Sequence, residues 1–338
     1  MPRRLVLILA LTCAVGVGNI YFPQAIVPLI VAGPHESPDA TALVVTATQI
    51  GYTFGIFLLV PLGDRLPNRA FLVTLLSVTA AGLLLAGCAP GASVLVAAGV
   101  VIGATTVAAQ IVGPLAAGPV AAEHRATMMG TLFSGSIGGM LLARTFSGAL
   151  GEGLGRRAPY LVAAAVVALL AVAPARALPE TEPTSRQAYP ALLAEPLRLL
   201  RAEPELRRSC LYQATVFAGF SAVWTCLTLL LTGPAHRLGA QAVGLLALVG
   251  AATMVCTPLA GRLVDRRGSD PVTLIRLLGV LVSAAVLVPG ARGGAWGPAS
   301  LVVGTLLLDV AMQCGMVANR PGCSRCAPTP GADSTRPT

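Results

Sequence analysis

The sequence predicts an all-α integral membrane protein. Its 338 residues are 55% hydrophobic and only 11% charged, whereas a soluble globular domain carries about 25% charged residues. The apolar residues gather in stretches of the roughly 20 residues that a helix needs to cross a bilayer. Short segments rich in glycine, proline and charge separate these stretches and provide the turns. Because lipid-facing positions favour apolar side chains, this composition indicates a membrane protein and not a soluble enzyme.

Ten apolar stretches qualify as membrane spans. They lie near residues 5–32, 41–62, 70–89, 93–117, 127–150, 158–177, 209–232, 241–260, 271–289 and 298–319. The longest polar break divides them into six spans before it and four after it. The predicted domains are a six-helix bundle at 1–177, a cytoplasmic central loop at 178–208, a four-helix bundle at 209–319 and a disordered, proline-rich tail at 320–338. Within the central loop, the part from Ala191 to Arg208 is predicted to form a short amphipathic helix on the membrane surface.

The distribution of basic residues predicts the orientation of the chain. With the N-terminus inside, 17 of the 23 basic residues fall on the inner side and 4 on the outer side. An excess of basic residues marks the cytoplasmic side, so both termini and the central loop are predicted to be cytoplasmic. All 23 are arginine, which is typical of a GC-rich bacterial genome, and the predicted location is the bacterial plasma membrane. The charges lie in short clusters between apolar runs, a pattern that does not indicate nucleic-acid binding.

Two similar loops occur at equivalent places in the two halves of the chain. The loop after the second span reads PLGDRLPNR (Pro61–Arg69), and the loop after the eighth reads PLAGRLVDRRG (Pro258–Gly268). Such a repeat is typical of transporters built from parallel halves. The two loops resemble the signature G-x-L-x-D-R-x-G-R-[KR] of the major facilitator superfamily. The residues that carry the resemblance are Gly63, Asp64, Arg65 and Arg69 in the first loop, and Gly261, Asp265, Arg266, Arg267 and Gly268 in the second.

The resemblance implies that these loops form a gate. In that family the cluster holds the inward side closed by ionic contacts and by an aspartate that faces the N-terminus of a neighbouring helix. The alternative is that the arginines only anchor the topology at the membrane face. Acid and base stand side by side in both copies, at Asp64–Arg65 and Asp265–Arg266, and this pairing favours the gate.

The fifth span is rich in glycine and reads GTLFSGSIGGMLLARTFSGALG. It resembles the antiporter motif of the same family, which ends in G-P-x-x-G-G. The glycines assigned to the motif are Gly130, Gly135, Gly138 and Gly139, and Ser136 stands where the family has proline. The resemblance favours export over import. The alternative interpretation is close helix packing alone, because small residues let helix backbones approach.

Three shorter segments resemble drug-efflux and sugar-efflux members of the family: NIYFPQAIVPLI in the first span, GRR after the fifth and LPE after the sixth. Two features depart from the family pattern. The fourth span, LVAAGVVIGATTVAAQ, lacks the arginine that the family signature carries there. The family also has twelve spans where ten are predicted here, and a frameshift or premature stop that removed the last two would explain the difference.

Polar side chains inside the spans are candidates for binding a substrate or a proton, because ionisable groups in hydrocarbon are costly. Asp309 is the candidate proton carrier, and Arg144 is a candidate for contacting an anionic group. Arg276 is predicted to be structural and to extend to the cytoplasmic surface. The further candidates are Asn19, Tyr21, Gln24, Gln49, Gln110, Gln213, Trp224 and Gln313. For each residue the alternative is a structural hydrogen bond between helices.

The predicted function is secondary active transport, specifically proton-coupled efflux of small molecules by alternating access. The alternatives are an uptake facilitator of the same fold and a truncated, inactive relative. The sequence has no nucleotide-binding loop, no metal-ligand cluster at useful spacing and no Ser/His/Asp set, so neither a pump nor an enzyme is indicated. The expected partners are a small-molecule substrate and the lipid bilayer, without nucleic acid. The expected state is a monomer driven by a proton gradient, with no cofactor and no metal.

Overall fold

The computed structural model describes residues 3–31, 38–117, 122–178, 185, 187–233, 238–250, 253, 269–292 and 297–325. The regular structure of these residues is helical, which confirms the all-α prediction. In chain order the helices are α1 (Arg3–Val31), α2 (Pro38–Gly63), α3 (Asn68–Gly87), α4 (Ala92–Thr105), α5 (Ala108–Ala117), α6 (Ala122–Leu154), α7 (Ala158–Ala177), α8 (Tyr189–Ala202), α9 (Pro204–Thr232), α10 (Ala240–Val249), α11 (Ser269–Arg292) and α12 (Gly297–Arg325).

Eight of the described segments are long and apolar enough to cross a membrane, and they coincide with eight of the ten predicted spans. The predicted span 127–150 lies within α6, which has 33 residues but is less apolar because of its many glycines, serines and threonines and Arg144. The predicted span 241–260 is described only up to residue 250 and at residue 253. The arrangement of six spans plus four therefore stays a prediction. The eight segments are Leu5–Ile26, Leu43–Gly63, Asn68–Gly87, Ala92–Gly113, Ala158–Arg176, Pro204–Thr232, Pro271–Gly290 and Gly297–Gly315.

The predicted span 93–117 is one helix in the sequence pattern but two in the structure. α4 ends at Thr105 and α5 begins at Ala108. The Thr105 hydroxyl donates to the Val101 carbonyl oxygen at 2.8 Å, and its oxygen lies 2.7 Å from the Thr79 hydroxyl oxygen of α3. A threonine that bonds back to the preceding turn competes with the backbone ladder and bends the helix. These hydrogen bonds lie at the end of α4, where the helix breaks before α5.

Two further helix boundaries differ from the predicted ones. α8 ends at Ala202 and α9 begins at Pro204, so the amphipathic helix predicted to run to Arg208 is shorter. Proline is favoured in the first turn of a helix because its missing N–H is not needed there. α12 continues to Arg325, past the predicted start of the tail at residue 320, and the rest of the tail lies outside the described residues. The predicted domain boundaries stay predictions.

By its internal contacts the chain divides into two compact units, and the first holds most of the N-terminal helices. Unit 1 comprises Met1–Leu193 and Leu227–Leu248. Within it α1 packs on α6, α2 on α4, and α3 on α7. Lipid is as apolar as these side chains, so close packing and not hydrophobic burial holds such helices together. The fully buried side chains of its core include Leu9, Ile26, Leu72 and Val167.

α2 and α4 approach so closely that their backbones touch. A Cβ added at Gly51 of α2 would lie 2.9 Å from Val100 Cα of α4. Gly55 of α2 faces the backbone of Ala104 in the same way, and Gly103 of α4 faces the backbone of α2. Any side chain at these three positions would separate the helices, so the close contact requires glycine.

Unit 2 comprises Ala194–Cys226 and Val249–Thr338. Its main contact among the described helices is between α11 and α12. A short segment connects these two helices, so they run antiparallel. The Ser283 hydroxyl of α11 donates to the Gly304 carbonyl oxygen of α12 at 2.9 Å, which joins the middle of α11 to the first third of α12.

Candidate functional site

The predicted glycine motif lies at the contact between α1 and α6, but only two of its four glycines make that contact. A Cβ added at Gly135 or Gly139 would collide with backbone carbonyl groups of α1. At Gly130 and Gly138 such a Cβ would meet no atom of the described residues within 4 Å. Gly135 and Gly139 are four residues apart and therefore lie on one face of the helix. These two glycines allow the backbones of α1 and α6 to touch.

Arg144 of α6 is buried in unit 1 and is bonded to α1. Its side chain is 1% exposed, and its Nε and Nη2 donate to Gln24 Oε1 at 3.2 and 2.9 Å. The guanidinium lies 5.0 Å from the ring centroid of Tyr21, within the range of a cation–π interaction. One turn further, the Ser147 hydroxyl donates to the Phe22 carbonyl oxygen at 3.0 Å. The structure thus brings together three residues that the sequence predicted separately, Arg144, Gln24 and Tyr21.

A second polar contact in unit 1 joins α2 to α5. Gln110 Nε2 donates to the Tyr52 hydroxyl oxygen at 2.9 Å, and the Gln110 side chain is exposed. Of the other predicted residues, Asn19 is buried and Gln49 is half-buried. In the described part of the chain, the buried amide nitrogens of Asn19 and Gln49 have no hydrogen-bond acceptor. A bound molecule or water would satisfy these two donors.

In unit 2, Asp309 of α12 is buried beside Trp224 of α9. The carboxylate side chain is 5% exposed, and Trp224 Nε1 donates to Asp309 Oδ1 at 3.3 Å. Phe220 packs edge-on against the indole with 6.4 Å between ring centroids. Gln313, one turn after Asp309, is buried, and Gln213 is half-buried. The predicted proton carrier is therefore held by a neutral donor next to aromatic rings.

The first predicted gate loop follows α2 and contacts the central loop. Gly63 is buried, Asp64 and Arg65 are exposed, and Arg69 is half-buried. The contact with the central loop is made by the backbone: the Ser185 N–H donates to the Asp64 carbonyl oxygen at 2.9 Å. Although most of the Asp64 residue is exposed, desolvation of its carboxyl by neighbouring groups raises the pKa above its usual value. The second predicted loop (Gly261, Asp265, Arg266, Arg267 and Gly268) lies outside the described residues.

Arg276 of α11 does not extend to the cytoplasmic surface as predicted. Its side chain is 1% exposed, and it lies against Gly315 of α12. A Cβ at Gly315 would lie 2.6 Å from Arg276 Nη1 and 3.0 Å from its Nε. The absence of a side chain at Gly315 provides room for the arginine between the helices. All three of its nitrogens are buried without a hydrogen-bond acceptor among the described residues, an unfavourable state for a charged group.

Two hydrogen bonds in unit 1 join the C-terminal half of α6 to α10. The Thr145 hydroxyl of α6 donates to the Gly244 carbonyl oxygen of α10 at 2.7 Å. Near the end of α6, Glu152 Oε2 accepts a hydrogen bond from the Gln241 N–H at 2.8 Å. Gln241 lies in the first turn of α10, where backbone N–H groups lack acceptors within the helix. Glu152 therefore caps α10 from a different helix.

Comparison with known proteins decides the family. The family model described as "Major Facilitator Superfamily" matches residues 7–329. The chain belongs to the Major Facilitator Superfamily. It is 30% identical over 320 residues to the "Uncharacterized transporter YgaY" of Escherichia coli O157:H7, a match that covers 95% of this chain and 80% of that protein. It is 34% identical over 315 residues to "Probable transporter SCO4007" of Streptomyces coelicolor, covering 93% of this chain and 72% of that protein.

Solved structures agree with the Major Facilitator Superfamily fold. A bacterial homolog of the human lysosomal transporter Spinster, in an inward-facing and occupied conformation, has a TM-score of 0.74 and 18% identity. The likeness covers 94% of this chain and 74% of that one. At this identity the likeness concerns the fold alone. The chain is a membrane transporter of the superfamily and not an enzyme.

Several site residues of this superfamily protein were not predicted from the sequence. Tyr52, Ser147 and Thr145 are small or amphipathic polar residues in helices, and nothing in the sequence separates them from the other hydroxyl residues. Glu152 could have been identified as a candidate from the sequence, because it is an acidic residue in the segment GEGLGRR at the end of a predicted span. Its partner, an N–H of a helix 89 residues later, has no sequence signature.

We expect Glu152→Ala to loosen the first turn of α10. An acidic group at a helix N-terminus contributes about 0.3–1 kcal/mol, and the substitution removes it. Amide hydrogen exchange of residues 240–244 should therefore become several-fold faster, whereas exchange in α3 should not change. Glu195→Ala, at an exposed acid of α8, is the matched control. Equal exchange of the α10 amides in the wild type and in Glu152→Ala would show that the hydrogen bond does not stabilise the first turn of α10.

Proposed function

We propose that this Major Facilitator Superfamily protein exports small molecules, drugs or sugars, in exchange for protons by alternating access. The observation that carries the proposal is Asp309, a carboxyl group 5% exposed within the candidate span Gly297–Gly315. A carboxyl group in a membrane span is costly when it is charged and is therefore a functional candidate by default. A proton that binds and leaves at Asp309 would couple the proton gradient to the movement of substrate.

The environment of Asp309 supports a group that changes its protonation state. The Trp224 indole N–H donates a hydrogen bond to Asp309 Oδ1 at 3.3 Å. An indole N–H is a donor only, so it serves the ionised carboxylate and also the carbonyl oxygen of the protonated acid. The same hydrogen bond therefore persists in both states, and the carboxyl is held in place while its proton comes and goes.

The glycine motif of α6 supports export as the direction. Gly135 and Gly139 let α6 touch α1, and the sequence of this helix resembles the antiporter motif of the family. Arg144 and Gln24 form a polar group between the same two helices and are our candidates for contact with the substrate. The gate is assigned to the Asp64–Arg65 loop. The proposed location is the bacterial plasma membrane, with both termini in the cytoplasm and the protein acting as a monomer.

Everted membrane vesicles test proton coupling. The vesicle interior is acidified by respiration and reported by a pH-sensitive acridine dye, and a panel of cationic dyes, antibiotics and sugars is then added. We expect at least one compound to release protons through the wild type. Asp309→Asn should reduce that release at least about tenfold, because a buried amide cannot carry the proton. Thr305→Ser, which keeps a hydroxyl group one turn away at a buried site, should retain it.

A second readout separates lost coupling from lost folding. Exchange of labelled for unlabelled compound needs no gradient, so Asp309→Asn should retain this exchange while it loses the proton release. Full proton release by Asp309→Asn would contradict a role in coupling. Accumulation of substrate only in right-side-out vesicles would favour the uptake facilitator. If the inserted wild type transports no compound of the panel, the proposal fails and an inactive relative is favoured.

A further inference from the structure

Unit 1 has a small pocket between the α3–α4 connection and the α6–α7 connection, and all the residues that line it belong to this unit. Buried Ile30 and Leu95 form part of its apolar wall, and its polar groups come from Arg156, Arg157 and Tyr160. A water-sized atom can move its centre within about 10 Å³ of the pocket, which is room for one such atom. The pocket can therefore enclose one atom of a ligand whose remaining atoms stay outside.

Tyr160 of α7 lines the pocket and has a buried hydroxyl group. The residue is 3% exposed, and its ring packs edge-on against Phe22 with 4.9 Å between the ring centroids. The hydroxyl oxygen has no hydrogen-bond partner among the described residues, and it is close enough to the Arg156 guanidinium for an electrostatic interaction. A buried hydroxyl without a partner is unfavourable. An acceptor atom of a ligand in the pocket would remove that cost.

The charged side chains that line the pocket are both positive. Arg156 is half-buried and Arg157 is exposed, and none of the described lining residues is acidic. Glu152, the nearest acid along α6, accepts the hydrogen bond from the Gln241 N–H of α10. α7 begins at Ala158, directly after the two arginines, and no side chain caps its first turn. The N-terminus of a helix carries a partial positive charge, which adds to the charge of the arginines and favours an anion.

The ends of the neighbouring spans place the pocket at the level of the lipid headgroups. The candidate span of α7 begins at Ala158, that of α3 ends at Gly87 and that of α4 begins at Ala92. The pocket thus lies where three spans leave the hydrocarbon. Arg156 and Arg157 are also two of the four arginines on the predicted outer side, where basic residues are normally few. An adjacent pair of arginines on that side indicates a role other than setting the topology.

We propose that this pocket binds a phosphate group at the predicted outer membrane face. One phosphate oxygen enters the pocket and accepts a hydrogen bond from the Tyr160 hydroxyl, while Arg156 and Arg157 contact the remaining oxygens outside it. A guanidinium binds phosphate oxygens through two parallel hydrogen bonds, and a helix N-terminus favours the same ligand. The phosphate belongs to a lipid headgroup or to a free anion, and both present the same oxygens. The inference goes beyond the proposed export and depends on neither proton coupling nor the direction of transport.

Amide hydrogen exchange at the start of α7 tests the proposal on the full chain. The protein is purified in dodecyl maltoside, a detergent without phosphate, and either sodium phosphate or phosphatidylglycerol is added. We expect at least one of these probes to slow the exchange of residues 160–164 about tenfold when its concentration is ten times its Kd. Sodium chloride of equal ionic strength should not slow it. Slowing by sodium phosphate assigns the site to a free anion, and slowing by phosphatidylglycerol alone assigns it to a lipid headgroup. No slowing by either probe would overturn the proposal, and so would equal slowing by sodium chloride.

An arginine variant connects the slowed exchange to the pocket. Arg156→Gln with Arg157→Gln should raise the Kd of the probe at least about tenfold, the usual effect of losing a hydrogen bond to a charged group. Arg207→Gln with Arg208→Gln changes another exposed adjacent pair, on α9, and is the matched control that should leave the Kd unchanged. Exchange of α3 without the probe shows whether each variant is folded. An unchanged Kd after the loss of Arg156 and Arg157 would overturn the proposal.

A second variant tests the hydroxyl group and keeps every charge. Tyr160→Phe retains the ring that packs against Phe22 and removes only the oxygen. Without the probe it should be as stable as the wild type or more stable, because the buried hydroxyl has no partner among the described residues. With the probe its Kd should be about fivefold higher, the effect of one lost hydrogen bond. An unchanged Kd would show that the phosphate oxygen does not reach Tyr160 and would overturn the proposed position of the ligand in the pocket.

Discussion

Gly139→Ala should destabilise the protein by about 1–3 kcal/mol, the usual effect of forcing an extra group into a closely packed contact. The added Cβ would overlap the carbonyl group of Ala14 in α1. A backbone group cannot rotate away as a flexible side chain does, so α1 and α6 would have to separate. Because this contact is the most extensive between helices of unit 1, a lower thermal unfolding temperature in detergent, followed by circular dichroism, is the expected result.

The neighbouring glycine provides the matched control for this prediction. Gly138→Ala adds the same methyl group at a position where no described atom lies within 4 Å. Alanine is favoured over glycine in a helix by about 1 kcal/mol, so this variant should be neutral or slightly more stable. Equal unfolding temperatures for Gly138→Ala and Gly139→Ala would show that the α1–α6 contact tolerates a wider spacing than the structure gives it.

Arg276→Met should raise the stability of the protein, by about 1–4 kcal/mol. Replacing buried charges with apolar residues of similar volume has effects of this size, and the three nitrogens of Arg276 have no acceptor among the described residues. Methionine has a long and adaptable side chain and can fill most of the vacated space. Thermal unfolding in detergent measures the change. Arg276→Lys keeps the charge and should not stabilise. A lower unfolding temperature for Arg276→Met would mean that the guanidinium makes a favourable contact.

The same site allows a double-mutant cycle with Gly315. Gly315→Ala places a methyl group 2.6 Å from Arg276 Nη1, so it should destabilise the protein when the arginine is present. In an Arg276→Ala background the same change should have a much smaller effect, because the crowded side chain is gone. Contacting residues typically show a coupling free energy of about 0.5–3 kcal/mol. Additive effects of the two substitutions would contradict the packing of Arg276 on Gly315.

The sequence predicted the helices of this fold well, because a bilayer constrains their length and polarity. A segment that crosses hydrocarbon must be helical and apolar, and eight described segments lie where the hydropathy places them. Candidate side chains followed from the same reasoning. Arg144 and Asp309 were identified as costly charges inside spans, and both are buried in the structure.

The sequence did not predict which helices contact one another. Glycine spacing identifies a face that can be approached closely, but Gly135 and Gly139 do not reveal that α1 is the neighbour. Lipid and protein are equally apolar, so hydrophobicity does not distinguish between them. Because helix contacts could not be predicted, the prediction for Arg276 was wrong. Its position one turn inside a span suggested a route to the surface, whereas the missing side chain of Gly315 provides an enclosed place.

The glycines between α2 and α4 restrict how the gene for this protein can vary. Gly51, Gly55 and Gly103 each face the backbone of the opposite helix. Every glycine codon begins with GG, and any nucleotide change that replaces the residue introduces at least a Cβ. No missense mutation at these three codons leaves the contact as it is. A deep mutational scan scored on correct membrane insertion should therefore show these positions as depleted of every substitution, alanine included.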